Sequence, residues 1–100
     1  MYKAVYIRTG SGIALSSTDT KTLDYLANEL KKIYKKSRIT YPHQTPNGKT
    51  YWCLVDRLDG QDKEAAYWLF TLLCEQDWQP ISFDAGVEDG AVYKLIKHED

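Results

Sequence analysis

The sequence predicts one α+β domain in which two helices cover one face of a mostly antiparallel β-sheet. Five apolar segments show the alternation or the continuous hydrophobicity of β-strands, and two longer segments repeat apolar residues at helical spacing. They follow one another in the order β-α-β-β-α-β-β. Turn-forming residues separate the consecutive strands, which favours hairpins and hence antiparallel pairing.

Length and composition set the class of protein. The chain has 100 residues, 43% hydrophobic and 27% charged, which suffices for one globular domain, residues 1–100. No segment approaches the roughly 20 apolar residues of a membrane span, and the N-terminal strand is too short for a signal peptide. The two cysteines, Cys53 and Cys74, are too few for a disulfide scaffold. We therefore expect a cytoplasmic domain without a membrane partner.

The first strand–helix–hairpin unit occupies residues 1–58. Tyr2–Arg8 is apolar on both sides, which predicts an interior strand, and Gly10-Ser11-Gly12 ends it. Asp19 or Thr20 can cap the helix that follows. Its apolar stripe consists of Leu23, Leu26, Ala27, Leu30, Ile33 and Tyr34.

A hairpin completes this unit. Arg38–Thr45 contains Pro42, which lacks an amide donor, so we expect an edge strand. The turn Pro46–Lys49 contains Asn and Gly, which tolerate positive φ angles. Thr50–Leu58 is nearly continuous in apolar residues, which predicts a central strand.

The second unit, residues 50–97, shares this middle strand. We expect its helix at about Asp62–Gln76 with Asp59 as the N-cap, and strands at Ile81–Asp84 and Ala91–Lys97. The helix is too apolar for a single buried stripe, so it is either covered within its own domain or meets a partner. The candidate interaction residues are Tyr67, Trp68, Phe70 and Leu72. Together the two units predict a ferredoxin-like or related sandwich fold.

Charge divides along the chain. Residues 1–52 carry a net charge of +6 and residues 53–100 a net charge of −7. Such a division can mark a surface for a polyanion, or it can serve attraction between the two halves or between subunits.

No motif predicts a catalytic residue, a cofactor or a metal site. Gly10-Ser11-Gly12 lacks the third glycine of a dinucleotide-binding turn, because Leu15 stands there. The cysteines and the two histidines, His43 and His98, do not have metal-ligand spacing. The carboxylates Asp56, Asp59, Asp62 and Glu64 fit a role at a helix N-terminus better than a metal cluster.

The C-terminal part resembles a small bacterial domain family of unknown function. The residues that carry the resemblance are Leu72–Ile81 (LLCEQDWQPI) and Val92–Lys97 (VYKLIK). The family has a leucine-rich helix, a Gly-Trp-Glu step and a hairpin; Asp77 replaces its Gly and Gln79 its acid. The resemblance implies a buried Trp78 and no reaction. Asp77 is expected to take the left-handed conformation that Gly takes elsewhere.

The order of elements also resembles that of RNA-recognition modules, in which strand aromatics stack on bases. Val5–Arg8 (VYIR) falls on the first strand and Gly48–Val55 (GKTYWCLV) on the third. This likeness implies stacking by Tyr6, Tyr51 or Trp52. The cations that would contact phosphates are Lys31, Lys32, Lys35, Lys36, Arg38 and Lys49.

Three functions are therefore compatible with the sequence. The first is a non-enzymatic interaction domain, a homodimer or a module for another protein, that uses the second helix or a sheet edge. The second is single-stranded RNA or DNA binding. The third is small-ligand binding, for instance of a nucleotide, or catalysis at a subunit interface, with Thr9–Ile13 as a mobile loop.

Overall fold

The computed structural model describes residues 2–44, 50–87 and 90–98, with the backbone alone for 41–44, 82–87 and 90–91. Within these ranges the chain forms six strands and two helices. They are β1 (Tyr2–Gly10), β2 (Gly12–Ser17), α1 (Thr20–Ile33), β3 (Arg38–Gln44), β4 (Tyr51–Asp56), α2 (Asp62–Glu75), β5 (Gln79–Val87) and β6 (Gly90–His98). The predicted turn Pro46–Lys49 lies outside the described residues, as do Glu88 and Asp89 between the last two strands.

The strands form one open antiparallel sheet in the order β3-β4-β2-β1-β6-β5, so the fold class is α+β. The predicted order of elements is one strand short, because β2 is a full strand that the sequence pattern did not predict. As predicted, the strand with Pro42 lies at an edge, and β1 and β4 are interior. No helix in the described ranges is long and apolar enough to cross a membrane.

The sheet is built around the hairpin of β1 and β2. One wing, α1-β3-β4, joins it by pairing β4 with β2, and the other, α2-β5-β6, joins it by pairing β6 with β1. Within the segment 50–97, the hairpin β5–β6 therefore pairs with β1 and not with the middle strand β4.

The central hairpin has a very tight turn, in which only Ser11 lies outside the strands. Thr9 pairs with Ile13, and these two side chains are 6% and 0% exposed. The prediction of a mobile loop from Thr9 to Ile13 is therefore wrong, because both ends of that segment belong to the ladder and face the core. Gly12 has a φ of 98°, and a Cβ there would lie 2.7 Å from the carbonyl oxygen of Val55.

Helix α1 begins where the sequence predicts. Asp19 is its N-cap and accepts hydrogen bonds from the amide of Lys21 and the hydroxyl of Thr22. The buried stripe consists of Leu23, Leu26, Ala27 and Leu30. Ile33 was expected in the stripe but is 52% exposed at the last residue of the helix.

Helix α2 begins differently from the prediction. Its N-cap is Gln61, without a side-chain cap, whereas Asp59 has a left-handed φ of 56° and lies in the preceding turn. Asp59 is thus not the cap, because the chain needs a turn at Asp59-Gly60 before the helix can start. The carboxylate of Asp62 instead accepts the amide proton of Gly12 at 2.9 Å, which ties the helix to the central hairpin.

The end of α2 confirms the expected backbone at Asp77. This residue has a φ of 68°, and its amide donates to the carbonyl of Cys74 while that of Trp78 donates to Leu73. These two bonds are those of a Schellman C-cap, in which a left-handed residue ends the helix. Trp78 then turns into the core and is 6% exposed, as expected.

Both helices cover the same face of the sheet. Helix α1 packs on β2 and β4, and α2 packs on β1, β2 and β6. The fully buried strand and helix residues of this covered face are Val5, Ile7, Ile13, Leu15, Cys53, Val55, Leu95, Leu26, Ala27, Leu30, Ala65, Ala66 and Leu69. The opposite face of the sheet has no layer above it in the described part of the chain.

Candidate functional site

The open face of the sheet carries the side chains that alternate with the core. On β1, Val5 and Ile7 are fully buried under the helices, whereas Tyr6 between them is 37% exposed on the other side. The described side chains of this open face include Tyr2, Ala4, Tyr6, Arg8, Ala14, Ser16, Trp52, Leu54, Val92, Lys94, Ile96 and His98.

The register of four strands places two aromatic side chains and one cation in a single row. Trp52 lies opposite Ser16, Ser16 opposite Tyr6, and Tyr6 opposite Lys94. The Lys94 ammonium lies 5.8 Å from the centroid of the Tyr6 ring, a cation–π distance. Because one strand separates β1 from β4, the backbones of Tyr6 and Trp52 lie about 10 Å apart.

A first depression, the basic hollow, lies between this row and the adjoining row of Arg8, Ala14 and Val92. Its volume is about 560 Å³. The basic hollow is lined by Tyr6, Arg8, Ala14, Ser16, Trp52, Val92 and Lys94. Small side chains on the central hairpin form its floor. Two of the described lining residues are cations and none is an acid, so this part of the face favours an anion.

A second depression, the apolar hollow, lies on the other side of Tyr6 and has a volume of about 420 Å³. It is lined by Tyr2, Ala4, Tyr6, Thr18, Thr50, Ile81, Ile96 and His98. Tyr2 and Ile81 are 61% and 54% exposed. The rings of Tyr2 and His98 meet edge to face, with centroids 6.3 Å apart. Tyr6 is thus a wall common to both hollows.

The structure separates the residues that were predicted to bind nucleic acid. Tyr6 and Trp52 lie together on the open face, but Tyr51 packs against the core on the covered face. The four lysines of the first helix, Lys31, Lys32, Lys35 and Lys36, belong to α1 or follow it directly, on the side that the helices cover. Lys49 lies outside the described residues.

Arg38 is engaged in an ion pair at the edge of the sheet. Its Nε and a terminal nitrogen donate to the two carboxylate oxygens of Asp56, at 3.2 and 2.7 Å. The hydrogen bonds from Arg38 lower the pKa of Asp56, and the pair raises the pKa of Arg38. This cation is therefore less available to a ligand than Arg8, which has no ion-pair partner among the described residues.

The four candidate interaction residues of α2 differ in exposure. Tyr67 is 57% exposed, whereas Trp68, Phe70 and Leu72 are partly buried, and the first two of these pack against the core. The Phe70 ring lies 4.8 Å from that of the buried Tyr93, centroid to centroid. Most of the aromatic surface of α2 is thus covered within its own domain.

In a polar groove between the two helices, two of the three lining lysines, Lys3 and Lys97, are already engaged. Lys3 pairs with Asp19 at 3.2 Å, and Lys97 donates to the carbonyl of Gln76 at 3.0 Å, at the end of α2. These contacts give both side chains a structural role. The groove therefore has a weaker claim to a ligand than the open face.

The thiols and carboxylates do not assemble into a site within the described part of the chain. No group of three or more His, Cys, Asp or Glu residues there is placed to hold a metal ion. Cys53 is fully buried, and desolvation raises its pKa to about 11, which leaves it protonated at neutral pH. Cys74 is a free, half-buried thiol.

Comparisons with known proteins show the fold and not a family. No family model matches the chain, and no curated protein matches it. The resemblance of residues 72–97 to a bacterial domain family therefore stays a prediction. Among solved structures, the chain is similar to a conserved kinetoplastid-specific protein from Trypanosoma cruzi, with a TM-score of 0.57 and 12% identity over 95% of this chain and 94% of that one.

Sequence reasoning did not single out Arg8 or Lys94. Arg8 ends the predicted first strand and Lys94 lies within the last, and only the pairing of β1 with β6 brings Lys94 beside Tyr6. Alternation along β1 was a usable signal, since it places Tyr6 and Arg8 on one face. The contribution of β6 required the register of strands that are distant in sequence.

Proposed function

We propose that this domain binds single-stranded RNA or DNA on the open face of its sheet, without catalysing a reaction. The observation that carries the proposal is the row that joins Trp52, Ser16, Tyr6 and Lys94, with Arg8 in the adjoining row. It combines flat rings for bases with cations for phosphates, as sheet-based binders of single strands do.

Stacking supplies the larger share of the expected affinity. A base stacked on an aromatic side chain contributes about 1–3 kcal/mol and does so for any base. Tyr6 and Trp52 are separated by the small Ser16, which leaves room for a base beside each ring. Two bases held in this way give modest affinity and little sequence preference.

The cations of the basic hollow contribute a limited electrostatic term. Arg8 and Lys94 are the two cations among its described lining residues. Two neutralised phosphates correspond to a slope of about −1.4 in a plot of log affinity against log salt for a single strand. This shallow slope suits a chain whose net charge is −1.

Self-association remains a second proposal for a different surface. Tyr67 on α2 is 57% exposed beside Phe70, and β3 and β5 are the edge strands of the sheet. Either feature offers a contact to a second copy or to another protein. Because Trp68, Phe70 and Leu72 are partly covered, α2 offers less surface than its sequence suggests. Light scattering across a concentration series tests this proposal directly.

We also propose a cytoplasmic location. Cys53 and Cys74 are both unpaired, as is usual for proteins of a reducing compartment.

The decisive experiment titrates a labelled oligothymidylate or oligouridylate at low salt and follows its fluorescence anisotropy. Replacing Tyr6 or Trp52 by Leu should weaken binding by about tenfold, because each change removes a stacking platform. Tyr67→Leu, an exposed tyrosine on the helix side, is the matched control and should bind as the wild type does.

Salt titrations test the cations separately. Arg8→Gln and Lys94→Gln should each reduce the salt slope by about 0.7, because each removes one phosphate contact. Lys63→Gln, an exposed lysine on α2, should leave the slope unchanged. A wild-type protein that binds no oligonucleotide at low salt would overturn the proposal, as would equal losses in the Tyr6 and Tyr67 variants.

A further inference from the structure

The two hollows differ in chemistry but share Tyr6 as a wall. We propose that a bound single strand continues past Tyr6 from the basic hollow into the apolar hollow, where a further base stacks against Tyr2. This inference rests on the proposed function and adds to it the path of the bound strand and a dependence of affinity on its length.

Strand geometry places three aromatic side chains along a bent path. Trp52 and Tyr6 lie in one row across the strands, about 10 Å apart. Tyr2 lies four residues before Tyr6 on β1, hence on the same face and about 13 Å away along the strand. The path therefore crosses from β4 to β1 and then follows β1 towards its first residue.

The residue between the two tyrosines on this face of β1 is small. Ala4 occupies that position and is 6% exposed. Thr18 beside it is held in place, since its hydroxyl accepts the amide proton of Ala4 at 3.2 Å. A larger side chain at Ala4 would fill the space between the Tyr2 and Tyr6 rings.

The lining indicates a base as the occupant and not a phosphate. Ile81 and Ile96 form one side, and none of the described lining residues is a lysine, an arginine or a carboxylate. The threonine hydroxyls of Thr18 and Thr50 offer donors and acceptors to the edge of a base. The apolar hollow thus complements the basic hollow, which has the cations.

The Tyr2 ring is held in position before a ligand arrives. Tyr2 pairs with His98 in the ladder of β1 and β6, and the His98 ring contacts it edge to face. Tyr2 nevertheless remains 61% exposed, so one face of its ring is open to stacking. Such preorganisation lowers the entropic cost of binding.

The test compares homopolymeric oligonucleotides of increasing length, from dinucleotide to octanucleotide, on the wild type and on Tyr2→Ala. Wild-type affinity should rise with length until both hollows are filled and then level off. Tyr2→Ala should bind the dinucleotide as the wild type does and lose about fivefold or more on the octanucleotide. Tyr2→Phe, which keeps the ring, should bind every length with the affinity of the wild type. Tyr67→Ala should have no effect at any length.

Each outcome separates this inference from the proposed function. If affinity does not grow beyond the dinucleotide, or if Tyr2→Ala weakens all lengths equally, the strand does not enter the apolar hollow and only the basic hollow binds. If no length binds, the proposed function and this inference fail together. If the wild type forms a dimer in light scattering that Tyr2→Ala abolishes, the apolar hollow seats a second copy and the inference is wrong.

Discussion

The covered and the open face of this sheet are made from alternate residues of the same strands, but different requirements shape them. On the covered face, β1 contributes Val5 and Ile7, which are fully buried against the helices. On the open face, it contributes Tyr6 and Arg8, which are exposed beside small residues of β2. Close packing against the helices restricts which side chains fit on the covered face, whereas side chains on the open face can contact a ligand.

This difference teaches where substitutions should separate stability from binding. A residue on the covered face contributes to folding through the area it removes from water. Its neighbour in sequence points the other way and, where it is partly exposed, contributes less to folding. Adjacent positions on one strand are therefore matched tests of the two faces.

The largest effect should come from Ile7→Ala on the covered face. Ile7 is fully buried, so its truncation should lower the free energy of unfolding by about 2–5 kcal/mol. Tyr6→Ala, one residue away, should cost less, about 1–2 kcal/mol, because Tyr6 is 37% exposed, but it should abolish the stacking contribution of this ring to binding. Urea denaturation and anisotropy titration of both variants measure the two quantities. Equal destabilisation by the two changes would contradict the division of the faces.

A smaller effect is expected at Gly12, which closes the hairpin from which both faces are built. Its left-handed φ and the nearby Val55 carbonyl oppose any Cβ, so Gly12→Ala should cost about 1–3 kcal/mol. Gly10→Ala is the control on the other side of the turn. No atom lies within 4 Å of a Cβ there, so stability should change by about 0.5 kcal/mol or less. A harmless Gly12→Ala would show that the turn adapts.

The smallest effect should appear only at high pH, through Cys53 on the covered face. Burial raises the pKa of Cys53 from 9.0 to about 11, so the folded state holds the proton more tightly than the unfolded state. The resulting stability is complete below pH 9 and is lost as pH rises towards 11, by about 1 kcal/mol at pH 10.

Urea denaturation of the wild type and of Cys53→Ala, at neutral pH and at pH 10, measures this loss. The buried Tyr93 also has a raised pKa, but it is common to both proteins and cancels in the comparison. The wild type should lose more stability than the variant on going to high pH. An identical loss in both would exclude Cys53 as the source.

Features set by local sequence were predictable. The Asp19 cap and the stripe from Leu23 to Leu30 depend on residues within one helix. The left-handed Asp77 depends on how a single helix ends. Pro42 indicated an edge strand because a missing amide donor constrains any sheet in the same way.

Strand β2 escaped prediction because it is short and rich in serine. Its inward positions are Ile13, Leu15 and Ser17, and its outward positions are the small Ala14 and Ser16. A serine at a buried position hides the alternation on which strand prediction depends. In the structure the Ser17 hydroxyl donates to the carbonyl of Ala4 at 2.7 Å, which satisfies it inside the sheet.

The composition of the open face could not be predicted because it depends on register. Tyr51 and Trp52 are adjacent in an apolar run, and nothing local decides which of them faces the helices. Pairing with β2 decides it and places Trp52 beside Ser16 and Tyr6. Likewise, Lys94 joins the row only through a ladder between the first and last strands.

That same ladder has a consequence for how the chain folds. The central hairpin, α1, β3 and β4 all lie within residues 2–56, whereas the partner of the other side of β1 is β6, Gly90–His98. Contacts so distant in sequence slow folding, since a long loop must close before they form. Until β6 emerges from the ribosome, one side of β1 has no partner strand, and its apolar residues Val5 and Ile7 are not yet fully covered. Nascent chains that lack β6 should therefore need protection from edge-to-edge aggregation.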